Sequence, residues 1–214
     1  MKISYAITVN DEYEEIQTLY KTLKEHIRPE DEIVIQQDRR GGKYKGLPDR
    51  KVKAYCTEIA LHDESITYTS FDLNDDFASF KNNLNSQCSG DYIFQIDADE
   101  RPNIKLIDQL PEILEGNPEI DLFYVPRINT VEGLTQEHIN KWQWRVNEKG
   151  WVNFPDNQSR IYRNSQDLKW VKPVHEIIIG HKQFTHLPEL EEYSIYHPKE
   201  IEKQEKQNAF YDTL

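Results

Sequence analysis

Along the first hundred residues the apolar positions change their period again and again. Ile3 to Val9 is a nearly continuous apolar run, and Ile16, Leu19, Tyr20, Leu23 and Ile27 then recur at three- and four-residue intervals, the spacing of one helical face. Glu32 to Gln37 returns to a short segment centred on Ile33-Val34-Ile35. Val52, Tyr55, Cys56 and Ile59 predict a second helix, Ile66 to Phe71 a third strand, and Phe77, Phe80, Leu84 and Cys88 a third helix. Tyr92, Ile93, Phe94 and Ile96 predict a fourth strand. Asn10 or Asp11, with Glu14 three residues beyond Asp11, is expected to cap the first helix, and Asn74 or Asp75 the third. Pro29 and Ser89-Gly90 supply stops. Strand and helix alternate at the length that parallel crossovers need, which predicts an α/β fold: a mostly parallel central sheet with helices on both faces.

Beyond Pro102 the alternation loosens. Leu106, Ile107, Leu110, Ile113 and Leu114 predict a helix that Pro111 would break in two. Leu122 to Ile128 is β-like, with Pro126 marking an edge or a bulge. Ser159 to Arg163 and Val174 to Ile179 are further short strands, and Trp142, Trp144, Trp151 and Phe154 crowd a stretch with little periodicity. The tail from Pro198, ending in Ala209, Phe210 and Leu214, has a charged helical pattern. No repeat or low-complexity segment appears, and the length fits one domain with its own core.

Composition narrows the class. A net charge of −12 argues against a general nucleic-acid coat protein. Against that background, residues 39–53 carry Arg39, Arg40, Lys43, Lys45, Arg50, Lys51 and Lys53 with Asp49 alone opposing them, read either as a solvated loop or as a contact for a polyanion. Cys56 and Cys88 have no metal-like spacing and are expected to be buried free thiols. No run approaches the roughly 18 apolar residues of a membrane span, and Met1 to Ile7, a short apolar stretch that turns polar, is not expected to be a signal peptide. A cytoplasmic protein is expected.

The chemistry concentrates where the fourth strand ends, at Asp97-Ala98-Asp99-Glu100. Open α/β sheets bind ligands at the carboxyl ends of their strands. If the strand continues, alternation puts Asp97 and Asp99 on one side, where two carboxylates repel unless a divalent cation joins them. Hard oxygen ligands suit Mg²⁺ or Mn²⁺.

The stretch from Asp76-Phe77 through Lys81-Asn82 and Gly90-Asp91 to Asp97-Ala98-Asp99-Glu100 resembles family 2 glycosyltransferases of the GT-A fold, in which Arg-Asn stands where this chain has Lys81-Asn82. Asn157 to Arg163 and Trp170 to Glu176 resemble the subgroup of lipopolysaccharide core glucosyltransferases, and Tyr196-His197 resembles a late metal-site His. The usual acidic motif after the second strand is replaced by Gln36-Gln37-Asp38-Arg39-Arg40. The resemblance implies a single GT-A domain, with residues 1–100 the nucleotide-sugar half and 101–214 the acceptor half. It further implies a metal-dependent inverting transfer of a hexose from a nucleoside diphosphate sugar, expected to be UDP-linked, to a glycan, lipid-linked or other hydroxyl acceptor. Asp97, Asp99 and His197 would hold Mn²⁺ or Mg²⁺. Thr8, Asn10, Glu12, Asp38, Lys81 and Asp97 would contact the donor. Glu176, with Asp156 in reserve, would take the acceptor's proton.

Three alternatives stay open at this point. The acceptor could be a hydroxylated base in DNA, bound through the basic 39–53 stretch. A nucleotidyltransferase also uses paired acids, but expects a Gly-rich basic loop where this chain has Asn10-Asp11-Glu12. A non-catalytic sugar-binding module would have no need of the acidic pair. The Trp142, Trp144 and Trp151 group is either core filling or a platform for sugar or base rings.

Overall fold

Four parallel strands build the half of the sheet that carries the acidic cluster. In the computed structural model, which describes residues 1–39 and 47–205, these are β1 (Ile3–Val9), β2 (Glu32–Asp38), β3 (Ile66–Phe71) and β4 (Tyr92–Asp97). They are joined by α1 (Tyr13–His26), α2 (Arg50–His62) and α3 (Phe77–Asn85). Then follow β5 (Arg101–Pro102), α4 (Ile104–Gly116), β6 (Leu122–Glu132), α5 (Gln136–Trp142) and β7 (Val152–Arg163). The short strands β8 (Lys169–Val171), β9 (Ile177–Ile179), β10 (Phe184–His186) and β11 (Ile195–Glu200) follow, and residues 201–205 are helical. One sheet runs in the order β3-β2-β1-β4-β7-β6-β11-β5, with β10 also paired to β6. It is parallel from β3 to β4, while β7 is antiparallel to both β4 and β6. The sheet therefore crosses both halves of the sequence without a break, and β8 and β9 form a separate ribbon.

Side-chain alternation divides the core in two. Ile3, Tyr5, Ile7 and Val9 of β1 and Tyr92, Phe94 and Ile96 of β4 bury on the face covered by α1, α2 and α4. Ala6 and Ile93 face the other way, into a smaller cluster with Ala78 and Leu84 of α3, Tyr162, Trp170 and Ile178. Burying one such aliphatic or aromatic side chain stabilises by about 1.5–3 kcal/mol, so the two faces together fix the strand order.

Several details depart from the expected pattern. The residue before α1 is Glu12, which makes no side-chain cap to that helix. Its Oε2 instead accepts the backbone N–H groups of Asn10 and Asp11 at 2.7 and 3.2 Å. Asp76, not Asn74 or Asp75, caps α3 by accepting the Ser79 N–H at 3.0 Å. That helix ends at Asn85, leaving Cys88 outside it. α4 runs unbroken through Pro111 because Leu106, Ile107, Leu110 and Leu114 are all buried along one side, which outweighs the missing hydrogen bond. β6 is an interior strand, and Pro126 falls between the stretches that pair with β10 and β11, where a missing N–H removes least from the ladder. Of the stretch from Val174 to Ile179 only Ile177–Ile179 is a strand. Arg50, Lys51 and Lys53 belong to α2, not to a loop. Arg40, Lys43 and Lys45, and the tail residues Ala209, Phe210 and Leu214, lie outside the described residues. Cys56 and Cys88 are free thiols, and burial pushes each up to about 12.

Two contacts at the amino ends of the strands give testable outcomes. A Cβ on Gly90 would lie 2.7 Å from both the backbone N and the Oγ of Ser4, and 2.9 Å from the Lys2 carbonyl oxygen. Gly90→Ala is therefore expected to destabilise by about 1–3 kcal/mol in urea unfolding, as overpacking against backbone does. The Glu32 carboxylate accepts bonds from Lys2 Nζ (2.6 Å), Ser4 Oγ (2.6 Å) and the N–H and Oγ of Ser89 (2.6 and 2.7 Å). Burial opposes its charge, but these bonds outweigh burial and bring the carboxyl down to about 2. A depressed folded-state value stabilises above the unfolded carboxyl range and is lost as pH falls through it. Glu32→Gln should thus be less stable than the parent at pH 7, and the gap should close between about pH 5 and pH 2.

Candidate functional site

Toward the carboxyl ends of the parallel strands, the face that begins with Ile93 and Tyr162 turns from apolar to charged. Gln95 and Asp97 follow Ile93 at period two, and Arg160 precedes Tyr162 at the same period on β7. The Arg160 guanidinium is 3% exposed and serves both strands. Its Nη1 donates to Gln95 Oε1, and its Nη2 donates to Asp97 Oδ2 at 2.6 Å and to Glu100 Oε1 at 2.5 Å. Asp97 Oδ1 accepts from Thr8 Oγ1 at 2.6 Å and from Gln95 Nε2 at 2.9 Å. Burial works against the charge on Asp97. Arg160 and Lys81 outweigh it, together with the bonds from Thr8 and Gln95, and hold the carboxyl well below its ordinary range.

The strand does not continue through the acidic motif. β4 ends at Asp97, and the Glu100 N–H donates to the Asp97 carbonyl at 2.8 Å, closing a turn. Asp97 and Asp99 consequently face different partners, which corrects the expectation of two carboxylates side by side. Asp99 Oδ2 lies 3.6 Å from His197 Nε2 and 3.2 Å from Lys203 Nζ. Burial raises the Asp99 carboxyl, but His197 and then Lys203 bring it down to about 2. His197, on β11, is buried, and its Nδ1 is bonded to Asn129 Oδ1 at 2.8 Å. Asn129 Nδ2 in turn donates to Asp156 Oδ2 at 2.9 Å. This relay engages Nδ1 and leaves Nε2 turned toward Asp99, the kind of outer support that a metal-binding imidazole has.

One carboxylate oxygen and one imidazole nitrogen suit Mn²⁺ or Mg²⁺, ions that keep waters and take substrate phosphates as further ligands. Asp99 and His197 would fit such an ion, while Asp97 is tied to Arg160. Among the described residues, no group of three or more His, Cys, Asp or Glu side chains is arranged to hold a metal.

On the α3 side, Lys81 is 5% exposed. Its Nζ lies 4.5 Å from the centroid of the Trp170 ring and donates to Glu176 Oε1 at 2.5 Å. Neighbouring Asn82 accepts from the Trp170 N–H at 3.0 Å and donates to the Trp170 carbonyl at 2.8 Å. The Phe77 N–H donates to the Pro173 carbonyl at 2.9 Å. Lys81-Asn82 therefore clamps the loop that presents Glu176. Within that loop Lys172 and His175 adopt positive φ, 74° and 53°, a strain that needs such a clamp.

Asp156 is differently placed. Its Oδ2 accepts from Arg127 Nε (3.0 Å), Arg127 Nη2 (2.7 Å) and Asn129, and its Oδ1 accepts from Gln158 Nε2 at 2.7 Å. Burial opposes its charge, and Arg127, Asn129 and Gln158 lower the carboxyl in spite of it.

At the end of β1, Thr8 is joined to Asp97, while Asn10 Oδ1 is buried with no hydrogen-bond partner. A buried amide oxygen in that condition points to a ligand donor. Burial raises the Glu12 carboxyl, bonds to backbone N–H groups offset part of that, and the charge of Asp99 adds to it. Asp38, at the end of β2, accepts the Leu73 N–H at 3.1 Å. Arg39 forks onto Asp72 at 3.1 and 3.2 Å.

The aromatic stretch lies in neither buried cluster. Trp142 packs between His138 (5.2 Å) and Trp144 (4.6 Å), Trp151 lies 4.9 Å from Phe154, and Lys149 Nζ sits 4.5 Å from the Trp151 centroid. These rings are half-buried on the β6–β7 connection, whose strands carry Asn129 and Asp156.

Sequence patterns alone missed Glu100, Arg127, Asn129 and Arg160. One signal was available: Gln95 interrupts an otherwise apolar buried strand, and Arg160 stands directly before Ile161-Tyr162. Polar groups in such positions need buried partners.

No family model matches the chain, and no curated protein matches it in sequence. Solved structures do match it in fold. The structure of S. aureus TarS 1-349 superposes with a TM-score of 0.60 at 13% identity, covering 92% of this chain and 60% of that one. Its complex with UDP-GlcNAc gives a TM-score of 0.62 at 15% identity, covering 93% of this chain and 59% of that one. Its complex with UDP gives 0.60 at 13% identity. This chain spans about 60% of the length of the TarS fragment it matches. At these identities the likeness concerns architecture, and the architecture is the GT-A fold.

Proposed function

We propose that this protein is a divalent-cation-dependent inverting glycosyltransferase that moves a hexose from a UDP-linked donor to a hydroxyl of a glycan. The observation that carries the reading is the meeting of Asp99 and His197 at the carboxyl end of β4 in a GT-A fold. The matched TarS structures include complexes with UDP and UDP-GlcNAc, which supports a UDP-linked donor here. Asp99 and His197 would hold Mn²⁺ or Mg²⁺, which when bound offsets the charge developing on the leaving diphosphate.

The chain's own groups divide the remaining work. Thr8, Asn10, Glu12 and Asp38 line the ends of β1 and β2, where a nucleotide binds in open α/β sheets, and the unpartnered Asn10 Oδ1 accepts a donor hydrogen there. Asp97, immobilised by Arg160, Thr8 and Gln95, offers a fixed anionic edge to a ribose hydroxyl or to water. Glu176 takes the acceptor's proton as the hydroxyl attacks the sugar carbon from the side opposite the diphosphate. Lys81 orients Glu176 by holding Oε1. Glu176 is preferred to Asp156 because the Asp156 oxygens already accept from Arg127, Asn129 and Gln158.

The half-exposed rings of Trp142, Trp144 and Trp151 support a sugar acceptor, since flat apolar faces with polar rims suit pyranose rings. The similarity of residues 157–163 and 170–176 to lipopolysaccharide core enzymes supports a glycan as well. A DNA acceptor is less well supported, because Arg39 is already paired with Asp72 and the net charge is −12. Among the described residues no helix is long and apolar enough to cross a membrane.

Two outcomes test the proposal. Incubated with a panel of UDP-hexoses and Mn²⁺, the protein should release UDP slowly by hydrolysis and stop when a chelator is added; silence across the panel would sink the assignment. Glu176→Gln should bind UDP as the parent does in calorimetry while turnover with a working acceptor falls by about 10² or more. A variant with unaltered kcat would remove Glu176 from the role of base.

A further inference from the structure

The end of the described chain folds back over the candidate site. Residues 201–205 are helical and follow β11 directly. This turn is anchored at one end beside Gly133, just after β6, and at the other to His138 on α5. A Cβ placed on Gly133 would lie 3.0 Å from Ile201 Cγ2, and His138 Nε2 lies 3.5 Å from Glu205 Oε1. Between these anchors Lys203 reaches inward, its Nζ 3.2 Å from Asp99 Oδ2. That oxygen is the one His197 Nε2 faces at 3.6 Å.

We propose that Lys203 is a resident counter-charge of the donor site, its ammonium standing beside Asp99 where a divalent cation is taken up, so that ammonium and ion compete. The inference rests on the metal site assigned above and adds a competitor to it. An ion on Asp99 Oδ2 at the usual length of about 2.1 Å could be no farther from Nζ than that length added to the 3.2 Å contact. Two cations that close, over one carboxylate, repel strongly in a partly buried site. The long lysine stem can swing, and the ammonium has somewhere to go. Glu12 and Glu15 already act on it electrostatically alongside Asp99, so it can leave the carboxylate without losing anionic neighbours.

The consequence concerns the order of binding. Metal alone must displace the ammonium from Asp99. Metal arriving with a diphosphate brings negative charge that satisfies both cations. Lys203 thereby biases the site toward the metal–donor pair over free metal.

The test is Mn²⁺ binding to the full chain without nucleotide, read from the electron paramagnetic resonance signal of free Mn²⁺. Lys203→Met keeps the stem and removes the charge, and should bind Mn²⁺ at least tenfold more tightly than the parent. Lys203→Arg keeps the charge and should bind Mn²⁺ as the parent does. Adding Asp99→Asn to Lys203→Met should abolish the gain. Equal or weaker binding by Lys203→Met, a gain shared by Lys203→Arg, or a gain that survives Asp99→Asn would each overturn the proposal. UDP release by the parent with Mn²⁺ separates this from the enzymatic assignment. Chelator-sensitive release with no affinity gain refutes the Lys203 competition alone. An affinity gain without UDP release leaves the competition standing and refutes the transferase.

Discussion

One buried guanidinium organises the polar end of this sheet. Arg160 joins β4 to β7 through Gln95, Asp97 and Glu100, and Arg127 on β6 reaches the same Glu100 at 3.2 Å. The two arginines fix these carboxylates in place, and Arg160 helps hold Asp97 well below its ordinary range. A buried ion pair is poor evidence for net stability, because desolvation consumes much of its attraction, but loss of one partner strands a charge. The arrangement therefore specifies geometry: in the turn after β4 the carboxylates of Asp97 and Glu100 each have a cationic partner.

From this centre two relays extend to the parts assigned chemical roles. The first runs from Arg127 through Asp156 and Asn129 to His197, setting which imidazole nitrogen faces Asp99. Asp156 is thus connected to His197 of the candidate metal site through Asn129. The second begins at Lys81, whose charge helps keep Asp97 ionised and whose ammonium holds Glu176. The candidate ion site and the candidate base are consequently built on one electrostatic framework with α3 and β7 as its walls.

Most of the architecture was legible from local pattern. The strand–helix alternation through Asp97 corresponds to β1–β4 and α1–α3 within a few residues, because amphipathic period is a property of neighbouring positions. The departures have local causes too. α4 tolerates Pro111 because its buried face binds it to the core. Glu12 turns back to Asn10 and Asp11 in place of capping α1. The weak periodicity around Trp142–Phe154 matches a stretch whose rings pack on one another and not in either core cluster.

The sequence by itself determined which segments are strands, which faces are apolar, and that acids gather where a parallel strand ends; these follow from the spacing of residue types along a few turns of chain. Only the tertiary structure decided how those acids are used. That Asp97 belongs to Arg160, Asp99 to His197 and Lys203, and Lys81 to Glu176, 95 residues away, depends on which elements the sheet order brings together. A charge carries no mark of its partner in the sequence. The partner is chosen when burial removes water and leaves each ion only the counter-charges that the fold has placed within reach.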